Sequence, residues 1–226
     1  MSSRGLFITV EGIDGCGKST QATLIAAALE AAGRDVLRLR EPGGVKISEQ
    51  IRAILLDPAN AEMGDVCELL LYEAARAQLV HQVIRPALAA GKTVICDRFY
   101  DSTTAYQAFA DGLDRNMVSQ ANELAVDGCR PDLTLVFDLS VEDALRRRSG
   151  REAEDRLELK GLEFQERVAA GFRALAADEP DRVKLVDAGG SITEVFSSVV
   201  DELRSAGLSV SEDDAAAALS ACQGKC

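Results

Sequence analysis

The 226-residue sequence has no tryptophan, a single histidine (His81) and only 4% aromatic residues. One imidazole makes a Ser-His-Asp hydrolase unattractive, and His81 is assigned to ordinary packing or surface. Positive charge is also scarce. Twenty-five Lys and Arg stand against 37 Asp and Glu, a formal net charge of -12, which argues against the broad phosphate-tracking surface of a nucleic-acid binder. Any anionic ligand must therefore meet cations gathered locally. Long hydrophobic runs are missing as well. The longest, around Thr23 to Leu29, stops at Glu30 and falls well short of the ~20 residues that span a bilayer, so no membrane association is expected. The N-terminus lacks the apolar core and small-residue cleavage site of a secretory signal, and a cytoplasmic location is expected. None of the six cysteines (Cys16, Cys67, Cys96, Cys129, Cys222 and Cys226) forms a C-x-x-C pair, so reduced thiols are the default.

What is present is an ordinary globular composition, 47% apolar and 27% charged. The length suits one large unit at roughly 100 to 200 residues per domain. Short β-branched runs alternate with stretches of helical periodicity, the pattern of an α/β fold with a mostly parallel sheet. Five strands are predicted, at Leu6 to Val10, Val36 to Arg40, Thr93 to Asp97, Leu133 to Asp138 and Val183 to Val186. Helices are predicted at Lys18 to Ala32, Lys46 to Leu56, Asp65 to Ala90, Asn116 to Ala125, Val141 to Arg148, Gly161 to Ala177 and Thr193 to Ser205. Five arginines fall between Arg146 and Arg156, and this basic segment is read as a flap or lid near residues 146–158. Residues 1–207 are read as one domain, and 208–226 as a polar tail with some helical character.

Gly12-Ile13-Asp14-Gly15-Cys16-Gly17-Lys18-Ser19 satisfies G-x-x-x-x-G-K-[ST], directly after an apolar strand and before a helical pattern. Glycines there let backbone N–H groups curl around phosphate oxygens. Lys18 adds a point charge, the helix start adds unpaired N–H groups and a positive dipole end, and the Ser19 hydroxyl suits Mg²⁺. There is no N-K-x-D element for guanine, which disfavours a GTPase, and a nucleotide-driven motor is usually larger.

Arg40 and Arg98 lie at the carboxyl ends of the second and third strands, the edge where open α/β sheets bind ligands. Arg76 follows Tyr72 by one helical turn, so the two can share a face suited to a planar base. Taken singly, each also fits a blander place: a strand-end surface charge for either arginine, a solvated helix face for Arg76, a core aromatic for Tyr72. Together they suit a second phosphorylated substrate.

The combination of this loop with Arg40-Glu41-Pro42-Gly43-Gly44, Leu70-Leu71-Tyr72-Glu73-Ala74-Ala75-Arg76, Asp97-Arg98-Phe99-Tyr100-Asp101-Ser102-Thr103-Thr104-Ala105-Tyr106-Gln107, Arg130-Pro131-Asp132 and Asp155-Arg156-Leu157-Glu158 resembles the thymidylate kinases of the nucleoside monophosphate kinase group, over Gly5 to Gly207. The resemblance implies a three-layer P-loop kinase fold around a five-stranded parallel sheet, a homodimer, and ATP plus dTMP giving ADP plus dTDP with Mg²⁺. It implies ATP contacts from Gly12, Ile13, Asp14, Gly15, Cys16, Gly17, Lys18, Ser19 and Thr20. It makes Arg40 and Arg98 ligands of the dTMP phosphate, Tyr72 a ring stacked on thymine, Arg76 a donor to a base carbonyl and Thr103 a partner for the base N–H. Tyr106 would sit where a 2′-hydroxyl would clash. Pro42, Ser102 and Gln107 would add dTMP contacts, Asp14 would act near the transfer point, and Asp97 would stand behind the metal. Position 15 is glycine where one branch of the family carries a catalytic arginine. The sequence resembles the other branch, in which Arg148 or Arg151 of the lid supplies that charge, a role worth ~10³ to 10⁵ in rate in related chemistry. Val45, Phe99 and Ala108-Phe109-Ala110 depart from the family pattern. Another nucleotide or small phosphorylated acceptor, or a nucleotide-binding regulator without turnover, stands as the alternative.

Overall fold

The structure, a computed structural model, describes residues 4–148 and 156–223. Its sheet holds β1 (Phe7–Glu11), β2 (Val36–Arg40), β3 (Thr93–Asp97), β4 (Leu133–Asp138) and β5 (Val183–Asp187) in the order β2-β3-β1-β4-β5, every neighbouring pair parallel. The three inner strands are buried almost from end to end, whereas β2 and β5 at the edges expose part of their length. Strands covered on both faces favour near-continuous apolar sequence, which is why the inner three read as mostly apolar runs.

Helices α1 (Lys18–Ala31), α2 (Lys46–Leu56) and α3 (Asp65–Leu79) follow the expected spans. The helix expected to run on to Ala90 passes instead through a π-helical turn at Val80–Ile84 into α4 (Arg85–Ala89). Pro86 has no N–H to give the preceding turn, and the wider turn absorbs the break. A second irregular helix was not expected. α5 (Tyr100–Thr103) continues as a π-helical stretch, Thr104–Ala110. Two adjacent β-branched threonines give this segment little intrinsic helicity, and tertiary packing decides it. It lies against α8 (Leu162–Asp178), where a Cβ on Gly171 would come within 2.9 Å of the Phe109 side chain. The glycine on α8 thus makes room for the phenylalanine.

α6 (Arg115–Val126) begins at Asp114, whose side chain accepts the Met117 N–H, and α7 (Val141–Arg148) follows β4. α9 (Ile192–Ser205) starts with a capping box between Ser191 and Glu194. The segment after Gly207, expected as a polar tail with some helical character, is packed against the domain. It forms α10 (Glu212–Gln223), packed on α1, and buries Leu208, Val210 and Ala218. Both helices are rich in alanine, so their backbones approach closely with little apolar bulk, a packing surface that leaves a weak periodic signal. Among the described residues no helix is long and apolar enough to cross a membrane.

Candidate active site

β1 runs into the glycine loop at the carboxyl edge of the sheet, and α1 begins at Lys18. Gly15 adopts φ +92°, and a Cβ there would lie 2.3 Å from the Ala144 carbonyl oxygen and 3.0 Å from Arg148 Cγ. Only glycine fits, for conformation and for space. A cavity of about 490 Å³ opens on the loop, lined by Asp14 through Gln21 and, opposite, by Arg147 and the segment following β5. Arg147 donates to the Ala188 carbonyl (2.9 Å) and Gln21 to that of Ile192 (3.1 Å), tying that segment to the loop. Gly12 and Ile13 stand behind the loop, beside Phe137 and Phe172, and Ile13 joins the core.

A second cavity, of about 220 Å³, adjoins the first and shares Asp14, Lys18 and Ser19 with it. Arg40, Pro42, Tyr72, Arg76, Asp97, Arg98, Ser102, Thr103, Tyr106 and Gln107 complete the part anticipated from sequence. Arg98 directly follows β3 in a left-handed conformation, φ 70°, a strained placement for a side chain that large. Its Nη1 donates to Ser102 Oγ (3.0 Å), and its Nη2 to Asp14 Oδ1 (2.9 Å) and Tyr106 Oη (3.2 Å). Lys18 Nζ bonds the same Asp14 oxygen at 3.0 Å. Burial opposes ionisation of Asp14, but Arg98 and then Lys18 outweigh it and hold the carboxyl well below the usual range. One ionised acid therefore keeps two cations side by side at the junction of the cavities.

Behind Arg98, Glu11 accepts the Phe99 N–H (2.7 Å) and the Ser102 hydroxyl (2.6 Å). Burial, reinforced by Asp101, pushes its carboxyl up to about 8. Arg76 is buried between two acids: Nε donates to Glu41 at 2.8 Å and Nη1 to Glu73. Burial also pushes Glu41 up to about 7 despite that partner. At the rim, Arg40 pairs with Glu49 at 3.0 Å and donates to the Pro42 carbonyl, as does Arg52. Thr103 Oγ1 is buried with no hydrogen-bond partner among the described residues and sits in the same cavity wall. A buried hydroxyl left in that state is a group suited to a ligand.

Ser19 Oγ donates to Asp97 Oδ2 at 2.5 Å, and both line the second cavity. Mg²⁺ favours one or two hard protein oxygens together with phosphates and water, and this pair beside the loop fits it. Among the described residues no group of three or more His, Cys, Asp or Glu forms a closed metal site.

With this geometry in view, the thymidylate kinase family model matches residues 10–199. The thymidylate kinase of Trichlorobacter lovleyi is 48% identical over 206 residues, covering 88% of this chain and 97% of the relative, and that of Solidesulfovibrio magneticus is 50% identical over 201 residues, covering 86% and 96%. The crystal structure of thymidylate kinase from Ehrlichia chaffeensis superimposes with a TM-score of 0.72 at 34% identity, over 89% of this chain and 99% of that one. The chain belongs to the thymidylate kinase family.

Within the family pattern, the lid region is where structure and expectation part. Arg151 lies outside the described residues. Arg148 is buried, with its stem against Gly15, and lines neither cavity. Its neighbour Arg147 does line the loop cavity. Arg156, read as part of a basic flap, is buried, bonded to Glu68 and to the Leu55 carbonyl. Sequence reading also passed over Arg52, Leu56 and Leu157 in the second cavity and the segment after β5 in the first. For that segment a signal existed, since Gly189-Gly190-Ser191 follows the end of a parallel strand at the ligand-binding edge. Leu56 carries no such mark, and Leu157 is marked only as part of the Asp155-Arg156-Leu157-Glu158 motif, without a place in the pocket.

Proposed function

We propose that the protein transfers the γ-phosphoryl group of ATP to dTMP, giving ADP and dTDP. One observation carries this reading: two cavities, one on the phosphate loop and one walled by Tyr72, Arg76 and Tyr106, meet at Asp14, Lys18 and Ser19. An oxygen of the dTMP phosphate attacks the γ-phosphorus, and the bond to the oxygen bridging the β- and γ-phosphorus atoms breaks, its electrons leaving with ADP. The chain supplies position and field. Loop N–H groups and Lys18 hold the donor phosphates. Arg98, fixed at both ends of its fork, holds the acceptor phosphate with Arg40 at the rim. Asp14 keeps Lys18 and Arg98 in place until phosphates replace it as their partner. Ser19 and Asp97 would hold Mg²⁺, which when bound offsets charge on the donor phosphates. A further arginine from the 146–151 region, with Arg147 nearest the loop cavity, would neutralise charge on the group in flight. Tyr72 would stack on the base, with Arg76, Thr103 and Gln107 at its edge.

The test is ADP release with ATP and a panel of acceptors. Turnover with dTMP well above that with dCMP or dGMP is expected, and little ADP release without acceptor. No dTMP-dependent release sinks the reading. A methyl group is worth only ~1 to 3 kcal/mol, so dUMP is expected to be a weaker substrate, not an excluded one.

We also infer a homodimer. α3 packs against both α2 and α6, and these helices expose Ile47 and Ile54, Val66 and Leu70, and Met117 and Leu124. A Leu70→Glu variant is expected to sediment as a monomer, and an unchanged dimer would discount this face. Both substrates are cytoplasmic nucleotides, and that is the setting the proposal implies.

A further inference from the structure

Glu68 is 1% exposed, on α3 one turn before Tyr72, and lines neither cavity. Its two oxygens are nevertheless heavily used. Oε1 accepts from Gln107 Nε2 at 2.5 Å; Oε2 accepts from Arg156 Nη2 and lies 3.6 Å from Lys160 Nζ. Lys160 is itself anchored on Asp111 at 2.7 Å. Arg156 also donates Nε to the Leu55 carbonyl at 3.0 Å, and the residues beside these partners, Leu56 and Leu157, form the apolar wall of the acceptor cavity. One buried carboxylate thus touches an amide in the base pocket from one side and clamps a hydrophobic wall from the other.

We propose that Glu68 is the positioning residue that sets the base selectivity of the acceptor cavity, acting through the orientation of the Gln107 amide. The inference rests on the dTMP reading. Both Glu68 oxygens serve as acceptors, Oε2 toward two cations and Oε1 toward Gln107, so the Gln107 amide turns its NH₂ toward Glu68. The carbonyl oxygen is then the end of the amide left for a ligand. A carbonyl acceptor matches the N3–H of thymine and opposes cytosine, whose N3 is itself an acceptor. In Glu68→Gln the new carbonyl would stay toward the donors Arg156 and Lys160 and the new NH₂ would face Gln107, so the Gln107 amide would flip, present its own NH₂ to the ligand, and the discrimination would fade. Arg156 and Lys160 meet Oε2 from the side opposite Gln107, and the Arg156 contacts hold Leu157 against the pocket.

The experiment compares kcat/KM for dTMP and dCMP, with ATP as donor, in the wild type and Glu68→Gln. The dTMP:dCMP ratio is expected to fall at least about tenfold in Glu68→Gln, while KM for ATP stays within twofold. A general loss of structure would lower both acceptors together and leave the ratio in place. A ratio within twofold of wild type overturns the proposal. Should Glu68→Gln fail to fold, Glu68→Asp carries the test. It keeps an acceptor-only group, so the ratio is expected to stay within threefold of wild type, and loss of the ratio in that folded variant overturns the proposal. Absence of dTMP turnover in the wild type would instead count against the functional reading beneath it.

Discussion

Asp14 Oδ1 is shared by Lys18 and by Arg98, whose other branch is held by Ser102 and, through Glu11, by the strand that leads into the loop. The guanidinium is useful here for its fork: it reaches three oxygens from one stem, and a lysine ammonium cannot reproduce that planar set. Arg98→Lys keeps the charge and loses the geometry. Its kcat/KM for dTMP is expected to fall about 10² to 10³ in the ADP-release assay, and a loss under fivefold would remove Arg98 from the transfer point. Glu11 and Glu41 lead to a different expectation. Each binds, in the folded chain, a proton that the unfolded chain has released above about pH 4.5, since burial lifts them to about 8 and about 7. The stability they contribute is full below pH 4.5 and is lost as pH rises through those values. The thermal midpoint is therefore expected to decline between pH 6 and pH 8.5, and Glu11→Gln, which has no proton to lose, to flatten the decline. Calorimetry across that range checks it; equal slopes for the two proteins would rule Glu11 out as the source.

At the level of elements, the five strands were legible as short, largely apolar runs and most helix spans as the longer stretches between them, with glycines at the turns. The break at Val80–Ile84 has a local cause, Pro86, but the other segments that escaped are set by a partner distant in sequence. Tyr100 to Ala110 is irregularly helical because α8 offers Gly171 opposite Phe109. The stretch after Gly207 folds because α1 presents a face of small residues, and neither feature is visible from the segment itself. The site divides in the same way. Lys18, Ser19, Arg40, Arg76 and Arg98 sit in motifs, whereas Arg52, Leu56 and Glu68 become neighbours of the pocket only once the chain has folded. Docking of α10 makes a measurable claim. Leu208, in the connection from α9 to that helix, is 5% exposed and joins the main core. Leu208→Ala is expected to cost about 2 to 5 kcal/mol, lowering Tm by about 2 to 4 °C per kcal/mol for a chain of this size. Turnover at 25 °C should change less than twofold, because neither cavity includes this residue. A shift under 1 °C in a melting scan would show that the segment is not docked in solution.

The molecule as a whole carries -12, yet the second cavity is lined by five cationic side chains against three carboxylates. A dianionic nucleotide therefore approaches against a repulsive long-range field and meets an attractive one only at close quarters. The two fields respond differently to salt. At about 0.01 M ionic strength the Debye length is about 30 Å, comparable to the protein itself, and the net negative charge is felt across the whole approach. At about 0.15 M it is about 8 Å, which removes most of that repulsion while contacts inside the cavity, at hydrogen-bond distance and partly buried, are screened far less. An enzyme with a basic surface around its pocket loses kcat/KM steeply as salt is added, because steering is what the salt removes. This protein is expected to behave in the opposite sense. With Mg²⁺ and ATP saturating, kcat/KM for dTMP should stay level or rise between those two ionic strengths. The clearest control is Arg40→Gln, which removes a rim charge that reaches solvent and should lower kcat/KM more at low salt than at high. A tenfold fall for the wild type over the same range would mean that the local cations project well beyond the cavity and that net charge does not govern encounter.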